Sequence, residues 1–316
     1  MSARKKVTIV GGGQTGGMMT YQLAALNICD IVIKDVAEFA QHHGKALDIT
    51  QSAAFAEFET QITPTNSWEE TTASDVVVIT SGAARSPGMS REDLLRGNAR
   101  IVGGIAHQIA RYSPHAVIIV FSNPMDVMCH VVLRESGFSP RQIIGQGGML
   151  DSERFRTFLA QELNVSQRDI QAYVLGGHTD TTMVPIVSHA TAGGIPITSL
   201  ILPERLKEIV ERTMKGGAEI VQLYKTGSAF FAPAVATITM VESVLLDEKR
   251  LLPCAVLLNG EYGLNDVFCG TIAKLGAGGA EQIYAVPVES NELSQIRVAA
   301  KITRDLFKLV DENKNA

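Results

Sequence analysis

The sequence lacks the marks of a secreted, membrane-spanning or nucleic-acid-binding protein. Its four cysteines, Cys29, Cys129, Cys254 and Cys269, are spread over 316 residues and form no C-x-x-C pair. That excludes a dense disulfide scaffold and the common zinc-ribbon spacing, so four reduced thiols and no metal are expected. No apolar run approaches the ~18 residues of a membrane span. The basic start, Arg4-Lys5-Lys6, leads at once into Val7-Thr8-Ile9-Val10 and then glycines. That run is too short for the apolar core of a signal peptide, and no targeting segment is expected. Positive charge is not in excess, since 28 Lys and Arg stand against 33 Asp and Glu, a net charge of −5. A protein that binds nucleic acid by neutralising phosphates needs clustered Lys and Arg, which are absent here. Internal repeats, low-complexity segments and charge blocks are missing too. A soluble, cytoplasmic protein is expected, with neither nucleic acid nor membrane as partner.

What is present is a globular composition, 46% hydrophobic and 19% charged. At ~100–200 residues per domain the length suggests two domains. The first half alternates β-rich runs with helical stretches, the runs being Val7–Val10, Asp30–Lys34, Phe58–Ile62, Asp75–Thr80, Ala116–Ser122 and Gln142–Gly145. Several are solid Val and Ile, such as Val76-Val77-Val78-Ile79, which means strands covered on both faces. Connections of β-α-β length give an α/β class with a Rossmann-type doubly wound parallel sheet. The second half reads as α+β. Glu204–Tyr224 has helical periodicity interrupted by Gly216-Gly217, which points to a kink or close packing. Ala255–Gly260 and Val267–Lys274 read as antiparallel strands. Ala299, Ile302, Leu306, Leu309 and Val310 give a final amphipathic helix. The boundary falls in the Gly-rich stretch after the sixth run, dividing the chain into residues 1–146 and 147–316.

Gly11-Gly12-Gly13-Gln14-Thr15-Gly16 follows the first strand and opens a helix, fitting G-x-G-x-x-G. Gly11 allows the tight turn, Gly13 a close backbone approach to a pyrophosphate, and Gly16 close packing of helix on strand. The helix start adds free N–H groups and a positive dipole end. Glycine-rich turns also occur without a ligand, but this one begins a β-α-β unit. Asp35 lies 19 residues after Gly16, where a carboxylate accepts from both ribose hydroxyls and repels a 2′-phosphate, which favours NAD over NADP. Lys34 points to the other face of the strand if the pleat is regular.

After the fourth strand comes Ser81-Gly82-Ala83-Ala84-Arg85-Ser86-Pro87-Gly88-Met89-Ser90-Arg91. Its two arginines flank a Pro-Gly turn at the carboxyl edge of the sheet, where open α/β folds bind ligands. Arginine suits bidentate carboxylate recognition, though a solvated basic loop reads the same way. Asn98 lies on the next helix. Ser122-Asn123-Pro124 ends the fifth strand, where Asn-Pro also marks an ordinary turn. In Leu150-Asp151-Ser152-Glu153-Arg154 the i, i+3 spacing puts Asp151 and Arg154 on one helix face, as a surface ion pair would. Leu175-Gly176-Gly177-His178-Thr179-Asp180 places a histidine after two glycines. None of the other six histidines has such a setting.

Taken in order, these motifs resemble the lactate/malate dehydrogenase family, and specifically its lactate dehydrogenase-like malate dehydrogenase group. The resemblance runs from Val7 to the C-terminal helix. It includes Gly216-Gly217-Ala218-Glu219-Ile220-Val221 and Thr226-Gly227-Ser228-Ala229-Phe230-Phe231. It implies an NAD-dependent oxidoreductase of central carbon metabolism, interconverting (S)-malate and oxaloacetate in the tricarboxylic acid cycle. By the same resemblance His178 is the acid/base, Asp151 its orienting partner, and Arg91 the catalytic arginine that closes over the substrate. Arg85 selects a dicarboxylate where a glutamine would read as lactate, and Arg154 grips the other carboxylate. Asn123 lies beside substrate and nicotinamide. Gly11, Gly12, Gly13, Gln14, Thr15, Gly16, Asp35, Asn98, Phe121, Ser122 and Asn123 form the cofactor set. A homodimer or homotetramer is implied. The alternatives are an L-lactate or other 2-hydroxy-acid dehydrogenase, against which Arg85 argues, and an NAD-binding sensor or structural protein without turnover. A protein of the latter kind would be expected to lose one of Arg91, Asp151, Arg154 and His178. One departure stands out: the family's glycine after the histidine is Thr179, which would be strained if the backbone there needed positive φ. Within an acidic chain, Arg85, Arg91 and Arg154 would make the binding cleft locally positive.

Overall fold

The computed structural model describes residues 4–83 and 91–311. In the first half, β1 (Lys6–Val10), β2 (Asp30–Lys34), β3 (Ile62–Thr65), β4 (Val76–Ile79), β5 (Val117–Val120) and β6 (Ile143–Gly145) lie in the order β3-β2-β1-β4-β5-β6. The pairs β1–β2, β1–β4, β2–β3 and β4–β5 are parallel. Between the strands run α1 (Gln14–Leu26), α2 (Gln41–Gln51), the short α3 (Ala53–Ala56), α4 (Arg91–Tyr112) and α5 (Met125–Ser136). The order reverses at β1, and in such sheets ligands bind in the crevice outside the carboxyl ends of the strands at the reversal, here β1 and β4.

The solid apolar runs behave as their composition requires. Every residue of β4 and β5 is buried, and each fully covered Val or Ile contributes roughly 1.5–3 kcal/mol. The third strand is displaced from the expected Phe58–Ile62 to Ile62–Thr65. Glu57 is left-handed (φ 55°) and ends α3, and the Phe58 N–H is still bonded to the Ala53 carbonyl. Pairing begins only at Ile62, and β3 tolerates Pro64 because it is an edge strand.

The second half opens with α6 (Gly147–Leu163), ended by Asn164 in the left-handed region. Then come β7 (Ile170–Gln171), β8 (Val174–Gly176), β9 (Met183–Pro185), β10 (Thr191–Ala192), β11 (Ile195–Pro196) and α7 (Pro203–Tyr224). The last helices and strands are α8 (Phe231–Leu245), β12 (Arg250–Asn259), β13 (Asn265–Gly276), β14 (Gly279–Tyr284) and α9 (Ser290–Asp311). Strands β12, β13, β8 and β9 are consecutive neighbours, with β13–β8 and β8–β9 antiparallel. A separate small sheet runs β11-β10-β7. Phe155, Leu159 and Ile170 anchor a core that includes Leu206 and Ile209 of α7.

Two compact units result. One comprises Met1–Ile144, Phe230–Arg250 and Leu275–Glu281; the other comprises Gly145–Ala229, Leu251–Lys274 and Gln282–Ala316. Helix α8 thus belongs with the parallel sheet, where it packs on α1. Gly216-Gly217 lies within the continuous helix α7, with Gly216 buried, and Cβ atoms at both glycines would lie within 4 Å of Arg154, so close packing is present. On α9 the buried stripe is Ile296, Ala299, Ala300, Thr303 and Val310, while Leu309 lies at the solvent edge. No disulfide joins the four cysteines, all of them buried. Among the described residues no helix is long and apolar enough to cross a membrane.

Candidate cofactor and catalytic sites

The glycine turn is built by close approach. At Gly11 (φ +115°) the chain bends off β1, and a Cβ there would sit 2.3 Å from Thr80 Oγ1. A Cβ on Gly16 would lie 1.9 Å from the Gly11 carbonyl oxygen, so α1 rests directly on the turn. At Gly13, by contrast, a Cβ would meet nothing within 4 Å. Gly13 and Gln14 are exposed, Thr15 is half-buried, and no side chain caps the start of α1. The first-turn N–H groups therefore face an open corner with room for a phosphate.

Asp35 stands beside this corner. Its Oδ2 accepts from the Gly12 N–H at 2.7 Å and its Oδ1 from the Val36 N–H at 2.8 Å. A carboxylate has about four acceptor positions, so capacity remains for two ribose hydroxyls. Lys34 is buried, with Nζ 4.9 Å from the centre of the Trp68 ring and donating to the Asp35 carbonyl. Burial lowers its pKa, with Asp35 opposing. The Lys45 ammonium donates to the Gly12 carbonyl at 2.9 Å, so both backbone groups of Gly12 are fixed by side chains. Its pKa is likewise lowered by burial and raised by Asp35. An open glycine corner, uncapped amides and a pinned carboxylate fit an NAD.

Asn98 is buried on α4, its Oδ1 accepting from the Ala83 N–H and its Nδ2 donating to the Asn123 carbonyl, both at 2.8 Å. It ties together the segments that leave β4 and β5. Ser122 is buried and donates to the carbonyls of Ile79 and Ser81. Phe121 is half-buried and Asn123 is exposed. Arg85 lies outside the described residues. Arg91 is the first residue of α4, and its side chain also lies outside them.

In the second unit α6 carries Asp151 and Arg154 one turn apart, as their spacing predicts. Asp151 is fully buried. Its Oδ1 accepts from Arg154 Nη1 at 3.0 Å and its Oδ2 from His178 Nδ1 at 2.6 Å. One carboxylate thus joins a guanidinium and an imidazole, holding each by a charge-assisted bond when the ring is protonated. With Nδ1–H donating to Asp151, the neutral ring carries its lone pair on Nε2. His178 sits close over the start of α6, where a Cβ at Gly147 would be 2.6 Å from the histidine Cβ and Cγ. The strand before it ends at Gly176 (φ +81°), where a Cβ would be 2.7 Å from the Thr182 carbonyl oxygen. Thr179 does not adopt the positive φ that would have strained it. Its N–H donates to Thr182 Oγ1, and its hydroxyl bonds Thr182 Oγ1 at 2.7 Å. The threonine therefore closes a tight turn with its own side chain. Asp180 is exposed.

Sequence reasoning did not single out Lys45 or Gly147 as site residues. Lys45 follows a helical glycine and looks like any surface lysine. Gly147 stood out only as part of a Gly-rich boundary, and its tight fit to a residue 31 positions away carries no local signal. Among the described residues no group of three or more His, Cys, Asp or Glu is placed to hold a metal ion.

Residues 5–145 match the NAD-binding domain of lactate/malate dehydrogenases, and residues 148–313 match their α/β C-terminal domain. A malate dehydrogenase of Thermomicrobium roseum is 48% identical over 98% of this chain and 99% of its own. The solved apo malate dehydrogenase of Picrophilus torridus superposes with a TM-score of 0.94 at 42% identity, covering 99% of this chain and 100% of that one. A Cryptosporidium parvum lactate dehydrogenase, solved with lactic acid and nicotinamide adenine dinucleotide, also gives 0.94, at 36% identity over 98% and 99%. The chain belongs to the lactate/malate dehydrogenase family and is an NAD-dependent oxidoreductase.

Proposed function

We propose that this chain is an L-malate dehydrogenase that interconverts (S)-malate and oxaloacetate. The observation that carries the chemistry is the buried Asp151 carboxylate, bonded on one oxygen to Arg154 and on the other to His178. A 2-hydroxy acid needs a base for its hydroxyl proton and a cation for its carboxylate, and this unit supplies both. NAD, when bound, supplies the nicotinamide carbon that takes the hydride from C2 of malate. Neutral His178 accepts the hydroxyl proton as the hydride leaves, and Asp151 orients the ring and stabilises the imidazolium. In the other direction His178 returns the proton to oxaloacetate. Arg154 pairs with the C1 carboxylate and Asp35 with the adenosine ribose. Arg85 receives the distal carboxylate, and Arg91 stabilises oxyanion charge. Gly11 to Gly16 would receive the pyrophosphate of a bound NAD, and Asn123 would stand beside substrate and nicotinamide. Asn98, Phe121 and Ser122 frame the cofactor.

Residues 1–146 form the cofactor domain and 147–316 the catalytic domain in this reading. A cytoplasmic homodimer or homotetramer working in the tricarboxylic acid cycle completes it. The main competitor is lactate chemistry, since lactate dehydrogenases share the fold equally well. Arg85 and the malate dehydrogenases at 44–48% identity favour the dicarboxylate. The test is Arg85→Gln, expected to shift the ratio of kcat/KM for oxaloacetate over pyruvate toward pyruvate by at least roughly a hundredfold. A ratio that hardly moves removes Arg85 from substrate selection.

A further inference from the structure

The Gly216-Gly217 pair breaks no helix, and its use lies elsewhere. A helix-interior glycine is destabilising relative to alanine, so two in succession call for a local reason. Both lie against Arg154. A Cβ on Gly216 would sit 3.1 Å from Arg154 Cδ and 3.6 Å from Nε, and one on Gly217 would sit 3.8 Å from each terminal nitrogen. The Arg154 side chain is only 12% exposed, and its single ion-pair partner among the described residues is Asp151. Its Nε is buried with no hydrogen-bond partner among those residues. Nothing at Nε therefore directs the guanidinium by a bond. Asp151 holds Nη1, and the bare backbone face of α7 sets where the rest of the group lies.

We propose that Gly216 is a positioning residue for Arg154: a shelf without a side chain that sets the plane in which the guanidinium meets a substrate carboxylate. This rests on the reading of Arg154 as the carboxylate-binding arginine. A methyl at position 216 would require Arg154 Cδ to give by a few tenths of an ångström. The guanidinium cannot follow freely, because Nη1 is tied to a fully buried carboxylate. The group tilts, and a two-bond fork that depends on planar alignment loosens. A carboxylate contact of this kind holds ground state and transition state alike, so its loss appears in KM more than in kcat.

The experiment is a double-mutant cycle of Gly216→Ala and Arg154→Lys, with Gly217→Ala as control. Gly216→Ala is expected to raise KM for oxaloacetate about fivefold to fiftyfold. Its kcat should stay within about threefold, the Kd for NADH should be unchanged, and Tm should be equal or higher. Gly217→Ala, whose methyl makes only ordinary contact, keeps KM within about twofold. In the Arg154→Lys background, adding Gly216→Ala changes KM by less than about twofold, because lysine keeps Cδ but ends in a freely rotating ammonium with no plane for the methyl to tilt. A purely structural role for Gly216 would instead give the same change in both backgrounds, and that result overturns the proposal. So does an unchanged KM in Gly216→Ala, or a Gly216→Ala protein that fails to fold. If Arg154→Lys alone leaves KM unchanged, the reading of Arg154 fails and takes the shelf with it. If Arg154→Lys raises KM and Gly216→Ala does not, only the shelf fails.

Discussion

Replacing Asp151 by asparagine changes one charge and almost no volume at a fully buried position. The carboxylate makes two hydrogen bonds to cationic or protonatable groups, at 2.6 Å to His178 and 3.0 Å to Arg154. A hydrogen bond to a charged group contributes about 1.5–3 kcal/mol. At 1.4 kcal/mol per factor of ten, loss of the His178 bond alone slows the proton-coupled step about tenfold to hundredfold. The Arg154 bond adds a second effect. The guanidinium keeps its charge in a nearly dry setting, and an uncompensated buried charge costs several kcal/mol. The expected phenotype is a lower Tm, kcat down by one to two powers of ten and a raised KM, with NADH binding unchanged. Stopped-flow NADH absorbance with oxaloacetate measures the first turnover. Cofactor deuterated at the transferred position then shows a larger isotope effect than in the unmodified enzyme, because chemistry has become slower than release. A folded Asp151→Asn enzyme with kcat within threefold of the original would refute the electrostatic role. Asp151 would then be only a geometric spacer.

Three further outcomes are expected. His178→Asn keeps its Kd for NADH and loses turnover by several powers of ten, and near-normal turnover would remove His178 from the mechanism. Asp35→Ser weakens NADH binding about tenfold or more and raises relative affinity for NADPH, read by fluorescence titration; unchanged discrimination would move cofactor selection elsewhere. Burial pushes the Cys29 and Cys254 thiols up from about 9 to about 12, so both stay neutral in the fold while an unfolded chain ionises them from pH 9 upward. Their contribution to stability is complete below pH 9 and is lost as pH rises toward 12. Cys254→Ala should flatten part of the alkaline fall in Tm, and an identical slope would count against the thiol as its source.

How far the molecule is legible in its sequence depends on whether the signal is local. Solid Val and Ile runs announce buried parallel strands, and β4 and β5 fall inside the expected spans. Gly11, Gly13 and Gly16 follow a strand and open a helix, so the phosphate corner and Asp35 could be placed from spacing alone. The i, i+3 pair Asp151–Arg154 needs only helix geometry. The partnership of His178 with Asp151 spans 27 residues and was available only through the family resemblance. Helix α8 carried no usable period, because it is buried on most of its faces and has Pro233 in its first turn. Gly216-Gly217 reads as a kink or close packing without naming the partner, because the arginine that Gly216 accommodates is 62 positions away. Whether Thr179 is strained turns on its backbone φ, which the sequence does not announce and which is not positive here.

The most direct test of the account is NADH oxidation by the unmodified protein, followed by absorbance with oxaloacetate and then with pyruvate at equal concentrations. If, as proposed, Arg85 receives the distal carboxylate, pyruvate leaves that charge without its partner at a cost of several kcal/mol, so kcat/KM for oxaloacetate should exceed that for pyruvate by at least roughly a hundredfold. Pyruvate turnover equal to or faster than oxaloacetate turnover, or no NADH consumption with either, would contradict the assignment.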